Sequence, residues 1–350
     1  MLGIEPRAAR AAWTVLLVAL AAFVLYQVRR VLFVLFAAVL LAYLLAPVVE
    51  LVNRFTRRRL SRAVSLALVY LLLIGLLISL GAVIGSRVSD EASALAARFP
   101  GWVRSLESGY ESPQPAWLGA AKRAVLETLR QKLENLGQEA LPLVQKATAG
   151  LMSVVGGLIV LVIVPVLSFF LLKDGGELKE RLLSGVPDSR RVLWEDVLGE
   201  VHRLLGRFIR ALVLLSLATF VAYGAVFAML GLPYSILLAT VAGVLEFIPV
   251  LGPLTAAAAI VLVVLISGHG PLWAVLAFLG AYRLFQDYVL QPHLMSAGLA
   301  LHPVLVIAGA LAGEAVAGAP GMFLSVPVMA TLRIVYVRLV QAPRLGRQNE

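Results

Sequence analysis

The stretch 236–266 is apolar enough to lie in lipid, yet its middle holds Pro249, Gly252 and Pro253, with Glu246 just ahead of them. Proline removes a backbone donor and clashes with the preceding turn, so no helix can run through this point unbroken. In lipid each unsatisfied backbone group costs several kcal/mol, so irregular backbone at membrane depth survives only when packed in protein or lining a wet cavity. The two halves, 236–248 and 254–267, each fall short of the ~20 residues that a bilayer crossing needs. A carboxylate at such a break is a candidate functional group. The plainer alternative is a kinked helix whose Glu246 reaches an interface and is solvated there.

The rest of the chain supports a membrane setting. It is 61% hydrophobic and 14% charged, against about 45–50% and about 25% in soluble domains. Several runs of about 20 apolar residues follow one another, which identifies an all-α polytopic integral membrane protein. With no cysteine, disulfides, thiolate metal sites and cysteine nucleophiles are excluded. The net charge of +10 is spread over short loops and tails, which reads as topology signal and lipid headgroup contact rather than a nucleic-acid surface.

In order, 11–28 and 31–49 read as two spans forming a helical hairpin about Arg29 and Arg30. Arg7 and Arg10 precede the first, which has no small-residue cleavage site after it and is expected to stay uncleaved. Arg54, Arg57, Arg58, Arg59 and Arg62 form the strongest positive-inside signal, placing that loop and the N-terminus in the cytoplasm. A third span, 63–84, carries the small-residue spacing Gly81–Gly85, which could seat another helix. These three spans make up 1–86.

Residues 87–148 differ in kind. They mix charge signs, contain Pro113 and Pro115, and show amphipathic stretches at 88–108 and 118–139. The expectation is an extracytoplasmic insert of amphipathic helices, either a partner surface or a solvated connector. Residues 149–350 form a C-terminal membrane region. It begins with a span at 150–172 that ends at Lys173-Asp174-Gly175-Gly176. A cytoplasmic amphipathic helix follows near 190–210, with His202 on its polar side, and then a span at 211–230. After the broken tract comes a span at 272–290 carrying Arg283, Gln286 and Asp287, stopped by Gln291-Pro292. The last apolar tract, 304–340, is broken over 313–321 around Glu314, and its basic tail is expected in the cytoplasm.

Two Gly/Pro-interrupted tracts, each with one glutamate at or near the break, are the sequence pointer to a transporter binding site. Helix ends exposed at the breaks would supply oriented partial charges for polar or ionic cargo. Topology permits three full crossings after the fifth span, or two re-entrant hairpins flanking one span.

At these residues the chain resembles the autoinducer-2 exporter (AI-2E) family of permeases. Glu246-Phe247-Ile248-Pro249-Val250-Leu251-Gly252-Pro253 is similar to its N-x-I-P-x-x-G-P motif. Gln286–Pro292, Leu301-His302-Pro303 and the segment from Gly318-Ala319-Pro320-Gly321 to Val326-Pro327 match further stretches. The resemblance covers nearly the whole chain and implies about eight membrane segments, a place in the inner (plasma) membrane, homo-oligomers, and export of small molecules. Some members are linked to autoinducer-2 and others to sodium(lithium)/proton exchange. One departure is specific: Glu246 stands where an amide is expected, which strengthens the case for ion coupling.

The expected function is therefore a secondary transporter exporting a small polar metabolite or signal. The alternatives are a Na⁺(Li⁺)/H⁺ antiporter and a non-transporting oligomeric scaffold or channel. The candidate substrate or ion site comprises Glu246, Pro249, Gly252, Pro253, Gln286, Asp287 and Glu314. Glu246 and Glu314 would carry a proton or cation, Gln286 would hydrogen-bond cargo or a helix, and the prolines and glycine would shape the break. Asp287 lies four residues from Arg283 and is expected to pair with it. Trp273, Tyr282, Tyr288 and Met295 read as packing or interface residues. No cofactor or metal is expected, since the four histidines are scattered. There is no enzyme motif of the His-Glu-x-x-His, phosphate-loop or G-x-S-x-G kind, so the expected partners are lipid and a small-molecule or ionic substrate.

Overall fold

A computed structural model of the chain describes residues 6–55, 61–108, 154–267, 271–294 and 301–345. All elements among them are helical: α1 (Pro6–Gln27), α2 (Arg29–Phe55), α3 (Arg62–Ser108), α4 (Val154–Ser184), α5 (Asp188–Met229), α6 (Ser235–Leu245), α7 (Leu251–Ser267), α8 (Leu272–Phe285), a π-helical turn (Gln286–Leu290), α9 (Gln291–Leu294), α10 (Pro303–Ala317) and α11 (Ala319–Leu345). Among the described residues four stretches are long and apolar enough to cross a membrane: Val31–Phe55, Ala63–Arg98, Asp188–Met229 and Ala319–Leu339. Leu71, Leu72, Leu77, Ile78 and Val83 of α3 stand exposed, as a surface facing lipid tails requires.

Several helices run further than the sequence suggests. Residues 63–84 and 88–108 form one 47-residue helix, about 70 Å long, because no proline or glycine pair separates them. The amphipathic 190–210 stretch and the 211–230 span likewise merge into α5. Gly175 and Gly176 do not end α4, which continues to Ser184; glycine weakens a helix by about 1 kcal/mol without breaking it. The expected N-terminal hairpin is corrected too. Val28 N–H donates to Val24 O and Leu32 N–H to Val28 O, both at 3.0 Å, so helical bonding crosses the joint and leaves no reversal there. Gly81 and Gly85 face open space, so among the described residues their spacing seats no helix. The 118–139 stretch and the prolines at 113 and 115 lie outside the described residues, as do Arg57–Arg59 and Met295.

The chain groups into two compact units: Met1–Glu50, Val162–Gly206 and Leu299–Glu350 in one, Leu51–Leu161 and Arg207–Gly298 in the other. In the first, Glu200 of α5 accepts from Arg338 of α11 at 2.9 Å, and His202 meets Tyr43 of α2 through a 3.1 Å hydrogen bond. Here α10 and α11 reverse on Gly318, at φ +64°. A Cβ on Gly313 would lie 2.2 Å from Gly321 O, and one on Gly321 would lie 1.9 Å from Gly313 O, so the two backbones touch. His302 caps α10 by accepting from Val304 N–H at 3.3 Å, and Pro303 occupies the first turn, where its missing donor costs nothing. That accounts physically for the Leu-His-Pro stretch.

The second unit holds α6, α7 and α8 against the C-terminal part of α5. Its core gathers Tyr223, Phe227, Leu237, Leu238, Ile260, Val275, Leu279 and Tyr282, and Val88, Ala92 and Leu95 of α3 pack into it. The start of the expected insert is therefore part of this core.

Candidate functional site

The break in the 236–266 tract occupies residues 246–250. α6 ends because Pro249 forbids continuation, and the chain bends through Phe247 N–H to Val244 O (3.2 Å), Ile248 N–H to Leu245 O (2.9 Å) and Leu251 N–H to Pro249 O (2.7 Å). The last of these closes a three-residue turn on Val250, held at φ +65°. A β-branched residue there is strained, at a cost of about 1–3 kcal/mol. α7 then starts with Gly252 pressed against the end of α6. A Cβ on Gly252 would lie 1.8 Å from Leu245 O, and residues seven apart can meet so closely only if the chain has turned back. Pro253 falls in the first turn of α7, where proline is tolerated.

Glu246 closes α6 and is 8% exposed. Gln286, at the start of the π turn, donates from Nε2 to Glu246 Oε1. Thr219 of α5 donates from Oγ1 to Glu246 Oε2 at 3.4 Å. Tyr282 Oη lies 3.1 Å from Thr219 Oγ1. A threonine hydroxyl has one proton; while it serves Glu246, Tyr282 must donate to it. The order Tyr282 to Thr219 to Glu246 reverses if the carboxyl takes up a proton. Gln286 and Thr219 are each 2% exposed, so all three polar groups are buried and satisfied by one another, as buried polar groups must be.

Aromatic rings close one flank. Tyr223 stacks edge-on against Phe227, Phe278 and Tyr282, with centroids 5.1–5.3 Å apart. Behind the carboxylate, Ser216 Oγ donates to Gly243 O at 2.6 Å. A Cβ on Gly243 would come within 3.2 Å of Phe220 Cβ, so that glycine lets α5 and α6 approach. The π turn itself widens the helix where Gln286 enters the site, a recurrent feature of functional helices.

The other candidates fall elsewhere. Asp287 accepts from Arg283 Nε at 2.9 Å and from Gln291 Nε2 at 3.3 Å, and the Arg283–Asp287 side chains are 42% and 38% exposed. That is the pairing the spacing indicates, beside the buried cluster rather than in it. Glu314 is exposed on α10. Pro249, Gly252 and Pro253 shape the turn. Thr219 and Tyr282 are members that sequence reasoning missed, since a threonine in an apolar span carries no motif. Among the described residues no cluster of histidine, aspartate and glutamate suits a metal ion.

A family model described as AI-2E family transporter matches residues 14–341. The chain belongs to the AI-2E transporter family. It is 28% identical to YrrI of Bacillus subtilis over 198 residues, covering 57% of this chain and 56% of that one. It is 25% identical to YueF of the same organism over 277 residues, 77% of this chain and 74% of YueF. PerM of Escherichia coli K12 is 27% identical over 258 residues, 71% and 66% of the two chains. The matched stretches thus span about half to three quarters of these AI-2E-like relatives. YrrI and YueF are named for transport and PerM as a permease; none of the names gives a substrate. Family membership and four helices long and apolar enough to cross a membrane together mark this chain as a membrane protein of the AI-2E transporter family.

Proposed function

We propose that the chain is a secondary exporter of a small polar metabolite or signal of the autoinducer-2 type, with cargo or coupling ion engaging the Glu246–Gln286–Thr219 cluster. The observation that carries this reading is the buried carboxylate at the turn between two short apolar helices of 11 and 17 residues, held by an amide and a hydroxyl. A carboxyl so placed can exchange hydrogen-bond partners as it gains or loses a proton, or as a ligand displaces Gln286. Depth along the helices supports it. Glu246 follows the 11 residues of α6, about 16 Å from the end that Glu91 of α3 meets, and Gln286 follows the 14 of α8, about 21 Å. Those distances fall near the middle of a ~30 Å hydrocarbon core.

In the same reading α6 and α7 are a re-entrant hairpin from the extracytoplasmic side. The chain then crosses a plasma membrane several times, with its C-terminus in the cytoplasm, as part of a homo-oligomeric assembly. A second reading, Na⁺(Li⁺)/H⁺ exchange, is favoured by one feature: a carboxylate rather than an amide opens the motif.

Proteoliposomes separate the two. Saturable, gradient-driven autoinducer-2 flux supports the exporter, and proton movement triggered by sodium or lithium supports the antiporter. Neither response would refute both and leave the scaffold.

A further inference from the structure

We infer that Glu91 is a positioning residue: it anchors the outer end of the α6–α7 hairpin and so sets where Glu246 meets Thr219 and Gln286. Glu91 Oε2 accepts from Leu237 N–H at 2.8 Å, across 146 residues of sequence. Leu237 is the third residue of α6, one of the first-turn donors that a helix cannot satisfy by itself. The N-cap position of α6 is held by Tyr234, at φ +63°, whose side chain does not cap the first turn. The cap therefore comes from α3, and its negative charge suits the positive end of the helix dipole. Packing agrees: Ala92, beside Glu91, is 4% exposed in the core that contains Leu237 and Leu238.

The consequence follows from length. α6 has 11 residues, too few to hold itself as an isolated helix. It is fixed at its far end by Ser216 on Gly243 and at its near end by Glu91. Releasing the near end lets a rigid three-turn helix tilt about Ser216, which shifts Glu246 against its partners. Since α3 runs on from Glu91 to Ser108, a load on that extension reaches the hairpin through this bond and through the packing of Val88, Ala92 and Leu95 around it. The functional consequence rests on Glu246 being the transport site; the anchoring does not.

The cysteine-free chain permits a direct test. A single reporter, Val250→Cys at the hairpin tip, is reacted with a membrane-impermeant maleimide in proteoliposomes, with and without changes at Glu91. Glu91→Ala should change the labelling rate about tenfold, the population shift expected when one charge-assisted hydrogen bond is lost. Glu91→Gln, which keeps an acceptor oxygen, should restore it to within about threefold. Should the alanine protein fail to fold, Glu91→Asp, whose oxygen falls short of Leu237, must show the same change at smaller size. Parental labelling in Glu91→Asp or Glu91→Ala would overturn the anchor, as would a change in Glu91→Gln as large as in Glu91→Ala. Labelling is read without any substrate, so an altered rate in a protein that transports nothing would sink the transport reading and leave the anchor standing.

Discussion

The α6–α7 and α10–α11 hairpins come from sequence segments that look alike, apolar tracts interrupted by glycine and proline near one glutamate, yet they are built differently. In α10–α11 a single residue makes the turn. Gly318 takes the positive φ at no steric cost, Gly313 and Gly321 let the backbones touch, and Glu314 points out of the packing. In α6–α7 five residues make the turn, a valine takes the positive φ, and the glutamate turns inward to a threonine and a glutamine. The first is a way to reverse a helix cheaply. The second accepts strain and buries a carboxylate, which a purely structural turn has no reason to do.

Substitutions can break this comparison or sharpen it. The largest effect is one the hairpins share. Gly252→Ala and Gly313→Ala each drive a Cβ into a backbone carbonyl, and each should cost about 3 kcal/mol or more, visible as a large fall in melting temperature in detergent. A mild result at Gly252 would mean that the α6–α7 turn is looser than described. Next comes a change confined to one hairpin. Thr219→Val removes one donor to Glu246 and the partner of Tyr282; it should slow transport about fivefold, the equivalent of a single hydrogen bond of about 1 kcal/mol, and lower the melting temperature by a few degrees. The smallest effect is opposite in sign at the two turns. Val250→Gly should raise stability by about 1 kcal/mol by relieving the positive φ, while Gly318→Val should lower it by a similar amount or more. If Val250→Gly is neutral, the turn strain is not real.

Much of this was legible in the residues. The proline–glycine break, Glu246 as its carboxylate, Gln286 as a polar group inside a span, and the Arg283–Asp287 pair all follow from spacing and from what lipid forbids. What escaped is long-range. Thr219 reaches Glu246 across 27 residues, Tyr282 reaches Thr219 across 63, and Glu91 reaches Leu237 across 146. No local pattern marks such pairs, because each residue alone fits a helix in its own right. Helix boundaries escaped for another reason. Composition changes at Arg87, Lys173 and Arg210 resemble ends, but a helix passes from lipid to water without stopping unless its backbone is interrupted. The two glutamates illustrate the limit: the same signature accompanies a buried carboxylate in one tract and an exposed one in the other.

The most direct test of the central claim is transport by the wild type, Glu246→Gln and Glu314→Gln in matched proteoliposomes, using autoinducer-2 flux or sodium-triggered proton movement, whichever the wild type supports. The account predicts that Glu246→Gln loses flux by at least about tenfold, with its melting temperature unchanged, while Glu314→Gln stays within about twofold. Wild-type flux in Glu246→Gln would contradict it.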